Sequence, residues 1–357
     1  MSQTTRVRHL HGGPDAQGVP RWDFSTNANA CGPCPVALAA VQQADAAHYP
    51  DPGYTDLRAA LAAFHSVAIE RIVVAGSASE FIARITAAVV RGGERRVWLP
   101  PLAYGDYAHA AQAWGLARVG DAAQADLAWL CEPSSPRGVV EAGAALVVGS
   151  PASAVVLDRA YEPLRLSGRC SLNGDALDQV WQLWSPNKAL GLTGVRGAYA
   201  IAPLQGLALA RRLEQLAPSW PLGAHAVAML TAWVSPGVQD WLAQSRGQLA
   251  RWKSTQLALL QGLGWHCLPS EANYFCAQAP RPVDVAALRA QGIKLRDTTS
   301  LGLPGHWRLG VLPPDAQEAL ADAWAAGLTS QGALAAHVGA VPLTIEEAQG
   351  RREAFES

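Results

Sequence analysis

A reactive amine has few candidates in this chain. The sequence holds 25 arginines but only three lysines: Lys188, Lys253 and Lys294. Lys188 lies in SPNKALGLTGVRG (185–197), among small and apolar residues that follow a β-rich run. Desolvation there favours the neutral amine, the form that attacks an aldehyde. Arg196 follows a glycine-rich turn and could clamp a phosphate in two-pronged fashion. Ser185 adds a hydroxyl at the expected strand end. A surface lysine in a loop is the plainer reading. The scarcity of lysine and the flanking pattern favour chemistry.

Asp158 closes a run of β-branched and apolar residues in AVVLDRAY (154–161). A carboxylate buried there needs a cationic partner, and a pyridinium nitrogen would serve. Tyr161 is placed to donate to a phenolic oxygen on such a ring. A helix N-cap or a structural ion pair would explain Asp158 equally well. In VVAGSASEF (73–81) a strand leads through Gly-Ser-Ala-Ser into a helix. Backbone N–H groups at a helix start bind phosphate, which makes Ser77 and Ala78 candidate contacts. An ordinary N-cap by Ser77 or Ser79 is the alternative. Tyr104, in PPLAYGDY (100–107), could stack on a flat ring or simply be a core or surface tyrosine.

These residues need a scaffold that brings strand ends together. Apolar β-rich runs alternate with helical stretches. The runs are 71–76, 95–101, 127–133, 145–149, 154–161 and 179–185, and helices are expected near 55–65, 78–90 and 103–115. This predicts an α/β domain with a mostly parallel sheet. Ligands bind outside the carboxyl ends of such strands, where most of the polar motifs fall. A long helical stretch is expected over about 203–262. A smaller α+β unit should follow, with strands in NYFCA, IKLRD and HWRLGVL and helices in VDVAALRAQ and DAQEALADAW. The expected division is an N-terminal arm at 1–45, a large domain at 46–245, a small domain at 246–328 and a loosely held tail at 329–357.

Bulk properties narrow the function. Half the residues are hydrophobic and the formal net charge is −1, with no basic block. Nucleic acid is therefore not an expected partner. No apolar run is long enough to span a bilayer, and the N-terminus lacks the apolar core of a signal peptide, so a cytoplasmic protein is expected. Cys31 and Cys34 form the one C-x-x-C pair, in CGPC. No second pair or suitably spaced histidines accompany it, so no metal or redox site is expected.

Taken in order along the chain, the phosphate turn, the aromatic, Asp-x-Ala-Tyr and Ser-x-x-Lys with its following arginine resemble fold-type-I, aspartate-aminotransferase-like enzymes of pyridoxal 5′-phosphate (PLP). The resemblance covers roughly residues 9–325. It implies that Lys188 carries PLP as a Schiff base, that Asp158 holds the pyridinium and that Ser77, Ala78, Ser185 and Arg196 hold the phosphate. Within that superfamily the chain resembles two groups, the histidinol-phosphate aminotransferases and the L-threonine-O-3-phosphate decarboxylases of cobalamin biosynthesis. Both imply that Tyr49, in HYP, reaches the phosphate of a neighbouring subunit's cofactor, hence a homodimer. Both also imply that Arg296 (KLRD) and Arg308 (HWRLG) bind substrate phosphate and carboxylate. LHGG (10–13), DFSTNANACGP (23–33) and HYPDPGY (48–54) look more like the decarboxylase, in which positions matching His11 and Asn27 contact substrate.

The pattern breaks in CEPSSPRG (131–138), where Ser135 stands in place of an asparagine that donates to the cofactor's phenolic oxygen. Arg159 replaces the usual acidic residue after the aspartate. The expected function is thus PLP-dependent decarboxylation of threonine phosphate (a lyase), with an aminotransferase of the histidinol-phosphate type as the alternative. A PLP-fold protein that binds without turnover is a third reading.

Overall fold

The computed structural model describes residues 12–141, 143–149 and 152–338. His11 and residues 339–357 of the expected tail lie outside them. The arm carries a short strand, β1 (Trp22–Asp23), followed by α1 (Pro35–Gln42) and α2 (Thr55–His65). The sheet-forming stretch then runs β2 (Ile72–Ala75), α3 (Ala78–Gly92), β3 (Arg96–Trp98), α4 (Gly105–Ala113), β4 (Ala117–Val119), β5 (Leu127–Cys131), α5 (Ala144–Val148), β6 (Ala154–Asp158), β7 (Trp181–Trp184) and β8 (Ala198–Ile201). Three helices follow: α6 (Leu207–Leu216), α7 (Ala224–Trp233) and α8 (Pro236–Gly262). The remainder holds β9 (His266–Cys267), β10 (Tyr274–Gln278), α9 (Val285–Ala290), β11 (Ile293–Lys294), β12 (Arg296–Asp297), β13 (Trp307–Gly310) and α10 (Pro314–Val338).

The large sheet has seven strands in the order β2-β8-β7-β6-β5-β3-β4. β8 is antiparallel to both its neighbours, and the other pairings are parallel. Every residue of β5, β6 and β7 is buried. Helices cover both faces, which is why these strands read as unbroken apolar runs rather than as alternation. The fold is α/β around a mostly parallel sheet, as expected. A second sheet, β12-β13-β10-β9, is antiparallel throughout. The arm joins it indirectly, because β1 pairs in parallel with β11.

Several elements differ from expectation. The apolar run 145–149 is not a strand. It belongs to α5, and Ala144 and Val147 pack on Val155 and Leu157 of β6. β5 and β6 are parallel neighbours, so a crossover must link them, and a short apolar run cannot be told from a buried helix by its pattern alone. The long helix over 203–262 is broken into α6, α7 and α8. Pro218, Pro221 and Gly223 fall in the first break, and Pro236 opens α8 at its first turn. The last helix continues past DAQEALADAW to Val338. β8 is an addition to the expected strands, since alanine-rich AYAI carries little β signal. Among the described residues no helix is long and apolar enough to cross a membrane.

Candidate active site

The strand order brings four turns together at the carboxyl edge of the sheet, those after β5, β6 and β7 side by side and that after β2 beyond β8. They bound a cavity of about 550 Å³. β6 ends in Asp158, β5 in Cys131, β7 leads to Ser185 and Lys188, and β2 leads to Ser77. Tyr104, Tyr161, Ser135, Arg196, Asn27 and Arg308 complete the lining of the cavity. Thus eleven of the residues singled out from the sequence share one cavity: Asn27, Ser77, Ala78, Tyr104, Ser135, Asp158, Tyr161, Ser185, Lys188, Arg196 and Arg308.

Two others stand apart. Tyr49 is 78% exposed and stacks on Trp220, with ring centroids 4.4 Å apart, outside its own chain's cavity. Arg296 is buried on β12 directly opposite Arg308, and its Nη2 donates to Ser300 Oγ at 3.0 Å rather than reaching the cavity wall. Burial, then the neighbouring Arg308 charge, lowers the Arg296 pKa.

Asp158 is fully buried and is held by two donors. Tyr107 Oη donates to its Oδ2 at 2.7 Å and the Ala160 N–H to its Oδ1 at 2.9 Å. Burial raises its pKa, against the pull of the Tyr107 hydroxyl, the Ala160 N–H and the Lys188 charge. Both hydrogen-bond partners are neutral, so the carboxylate lacks a cation in contact and would gain from one. Tyr107 is absent from the sequence-based candidates. Its ring stacks on Trp129, with centroids 4.3 Å apart, and α4 carries it beneath Asp158.

The part of the cavity lined by Ser77 and Arg196 has a helix start and a cation. Ser77 is the N-cap of α3, where its Oγ accepts from the Glu80 N–H at 3.0 Å. The N-cap alternative is therefore met in the same residue that borders the cavity. Ser185 is buried and its Oγ has no hydrogen-bond partner among the described residues. A buried hydroxyl left unpaired is costly unless a ligand meets it. Arg196 is exposed at the rim. Asn187, another residue outside the sequence-based candidates, lines the cavity, and its Oδ1 has no hydrogen-bond partner among the described residues.

Lys188 Nζ lies 5.4 Å from the centroid of the Tyr161 ring. Asn27 Nδ2 donates to Tyr161 Oη at 3.3 Å, which leaves the tyrosine's own proton free to donate elsewhere. Ser135 Oγ accepts from Arg308 Nη1 at 3.3 Å, and Ser25 O accepts from Arg308 Nη2 at the same distance. Arg308 is 8% exposed and has no ion-pair partner among the described residues, and its Nε is unpaired. Neither CGPC cysteine reaches the cavity: Cys34 precedes α1 and Cys31 Sγ faces Ser245 O.

These residues fit PLP. A lysine amine, a cation-starved buried carboxylate, and an unpaired serine near a helix start and an arginine match its aldehyde, its ring nitrogen and its phosphate in turn.

The model of the class I and II aminotransferase family matches residues 21–125 and 121–323. Histidinol-phosphate aminotransferase 1 of Bradyrhizobium diazoefficiens is 28% identical over 306 residues, covering 79% of this chain and 85% of that protein. The structure of histidinol-phosphate aminotransferase from Sinorhizobium meliloti in complex with PLP has a TM-score of 0.71 at 22% identity, covering 86% of this chain and 90% of that one. That of L-threonine-O-3-phosphate decarboxylase from Porphyromonas gingivalis has a TM-score of 0.66 at 20% identity, covering 82% and 92%. At such identities the two structures show a shared fold.

Proposed function

Because this chain belongs to the class I and II aminotransferase family, whose cofactor is PLP, we propose that it acts on the amine of a small compound that also carries a phosphate. The observation that carries this reading is Arg308, a buried guanidinium without an acidic partner among the described residues, which lines the same cavity as Lys188. A buried charge left unpaired by the fold is most readily explained by an anionic ligand.

Bound PLP supplies an electron-accepting ring that weakens the bonds at an amine's α-carbon. The chain's residues do the rest. Lys188 would hold the cofactor through its amine and, as the free amine, would move a proton. Asp158 would keep a proton on the ring nitrogen, and Tyr161 would donate to the phenolic oxygen. Ser185, Arg196 and the start of α3 with Ser77 and Ala78 would hold the phosphate, and Tyr104 would contact the ring. Arg308 and Asn27 orient the substrate, with Arg296 behind Arg308 as a second cation. Tyr49 lies outside the lining of its own chain's cavity and is exposed, which suits a homodimer in which it completes the partner's site. The enzyme would act in the cytoplasm.

Two reactions fit this machinery. Transamination of the histidinol-phosphate type has the support of the curated relatives and ranks first. Decarboxylation of threonine phosphate, a cobalamin-biosynthesis step, ranks second, and the arm favours it: Gly12, Ser25, Thr26 and Asn27 fold onto the cavity. The outcome would turn on how Arg308 and the arm orient the groups on the substrate's α-carbon. Incubation of the holoenzyme with histidinol phosphate and 2-oxoglutarate should yield glutamate without CO₂. Release of CO₂ and aminopropanol phosphate from threonine phosphate would establish the second reaction instead. Turnover of neither compound overturns the proposal.

Arg308 also gives a direct test. A charge-assisted hydrogen bond contributes roughly 1.5–3 kcal/mol, so Arg308→Gln should raise KM for the phosphate-bearing substrate about 10–100-fold. Cofactor absorbance should be unchanged, because no cofactor-holding residue is altered. An unchanged KM would remove Arg308 from substrate binding.

A further inference from the structure

The arm segment before β1 is held by charge as well as by packing. Asp15 Oδ1 accepts from Arg289 Nη2 at 3.0 Å, and Asp15 Oδ2 accepts from Lys294 Nζ at 2.8 Å. The same two cations also grip the backbone of this turn, Lys294 at Gly13 O and Arg289 at Gly18 O. Arg289 lies in the last turn of α9 and Lys294 lies in β11, two residues before Arg296. On the other side, the Gly13 N–H donates to Ser25 Oγ at 2.9 Å, and a side chain at Gly12 would collide with the Ser25 carbonyl. That carbonyl is the one Arg308 grips, and Gly12, Ser25, Thr26 and Asn27 all line the cavity. A continuous chain of contacts thus runs from a surface carboxylate to the substrate-facing guanidinium.

We infer that Asp15 is a positioning residue. It clips the Gly12–Gly18 turn to Arg289 and Lys294, and so seats Ser25 against Arg308 and fixes the substrate-side wall of the cavity. The inference rests on the functional reading above, because it takes Arg308 as the substrate's anchor. Asp15 touches none of the residues at the cofactor end, so its effect should fall on substrate affinity and leave the cofactor and the chemical step alone. The pairs are partly exposed, so the effect is modest and sensitive to salt.

In the holoenzyme, Asp15→Asn should raise KM for whichever phosphate-bearing amine the wild type turns over by about three- to tenfold. kcat should stay within about twofold, and the cofactor absorbance and Tm should not move. Arg289→Gln should act in the same direction, and the double variant should be no worse than the worse single one, as expected of residues in one linkage. A general loss of stability would instead lower Tm and kcat together, and that outcome, or an unchanged KM, overturns the inference. If the wild type turns over neither histidinol phosphate nor threonine phosphate, the functional reading fails on its own, and the clip is then decided by trypsin. Arg21 is exposed between the clip and Ser25. Cleavage after it should be several-fold faster in Asp15→Asn than in the wild type, and an equal rate rules the clip out.

Discussion

Lys188→Ala should lower turnover by at least roughly 10⁴-fold, since one side chain both binds the cofactor covalently and moves the proton. The two other lysines cannot stand in for it. Lys253 Nζ is buried and donates to the carbonyls of Ser270 at 2.6 Å and Ala272 at 2.7 Å. Lys294 Nζ is committed to Asp15 and Gly13. Lys188 Nζ makes no hydrogen bond to another described residue and is the one lysine in the cavity lining. Borohydride reduction of the holoenzyme followed by peptide mass analysis reads this directly. The cofactor mass should appear on the Lys188 peptide of the wild type and on no peptide of the variant. Label on Lys253 or Lys294, or a variant with full activity, would show that the amine has been misassigned. The variant should still bind PLP non-covalently, because Ser185, Arg196 and Asp158 are untouched.

The site was legible where a buried strand stops at a polar residue. Asp158 and Ser185 are of this kind, since a run such as AVVLD or QLWS has no reason to end in a polar group at the sheet's carboxyl edge unless something there uses it. Lys188 gained from being one of three. Tyr107 was illegible because it lies three residues past Tyr104 on a helix, where an aromatic facing the core is the commoner explanation. Only the adjacency of β3 and β5, a tertiary fact, carries α4 under the end of β6. A question could have found it: a buried carboxylate must have donors for both oxygens, and the Ala160 N–H beside it in sequence serves only Oδ1. The arginines show a different limit. Arg296 and Arg308 are opposite one another across two strands, yet Arg308 borders the cavity and Arg296 is engaged by Ser300. Spacing along the chain contains neither the pairing nor the difference. The missing strand β8 and the misread run at 145–149 fail for one shared reason. Alanine-rich and short apolar segments take their conformation from the slot the sheet leaves for them.

Asp158→Asn should move turnover and stability in opposite directions. Asparagine is isosteric with aspartate and can keep both hydrogen bonds: its Oδ1 accepts from the Ala160 N–H, and its Nδ2 donates to Tyr107 Oη, a hydroxyl that can accept as well as donate. What is lost is the negative charge. Turnover should fall by roughly 10²–10³-fold, the scale of removing one group that stabilises charge in a dry site. Without cofactor the same charge is a burden. Burial raises the Asp158 pKa above its unfolded value, so folding favours the protonated carboxyl. The stability this group contributes is therefore present at low pH and is lost as pH rises through the folded-state pKa, by about 1.4 kcal/mol for each unit of upward shift. The cofactor-free Asp158→Asn variant should consequently melt higher than the wild type at pH 8, and the gap should close as the solution is made acidic enough to protonate Asp158. Adding PLP should reverse the order, because the pyridinium gives the wild-type carboxylate the cation it lacks. Melting curves of both proteins, with and without PLP, at two pH values decide the matter. If the cofactor-free wild type is the more stable at pH 8, Asp158 is already neutralised by the fold, and a pyridinium partner is not what its burial serves.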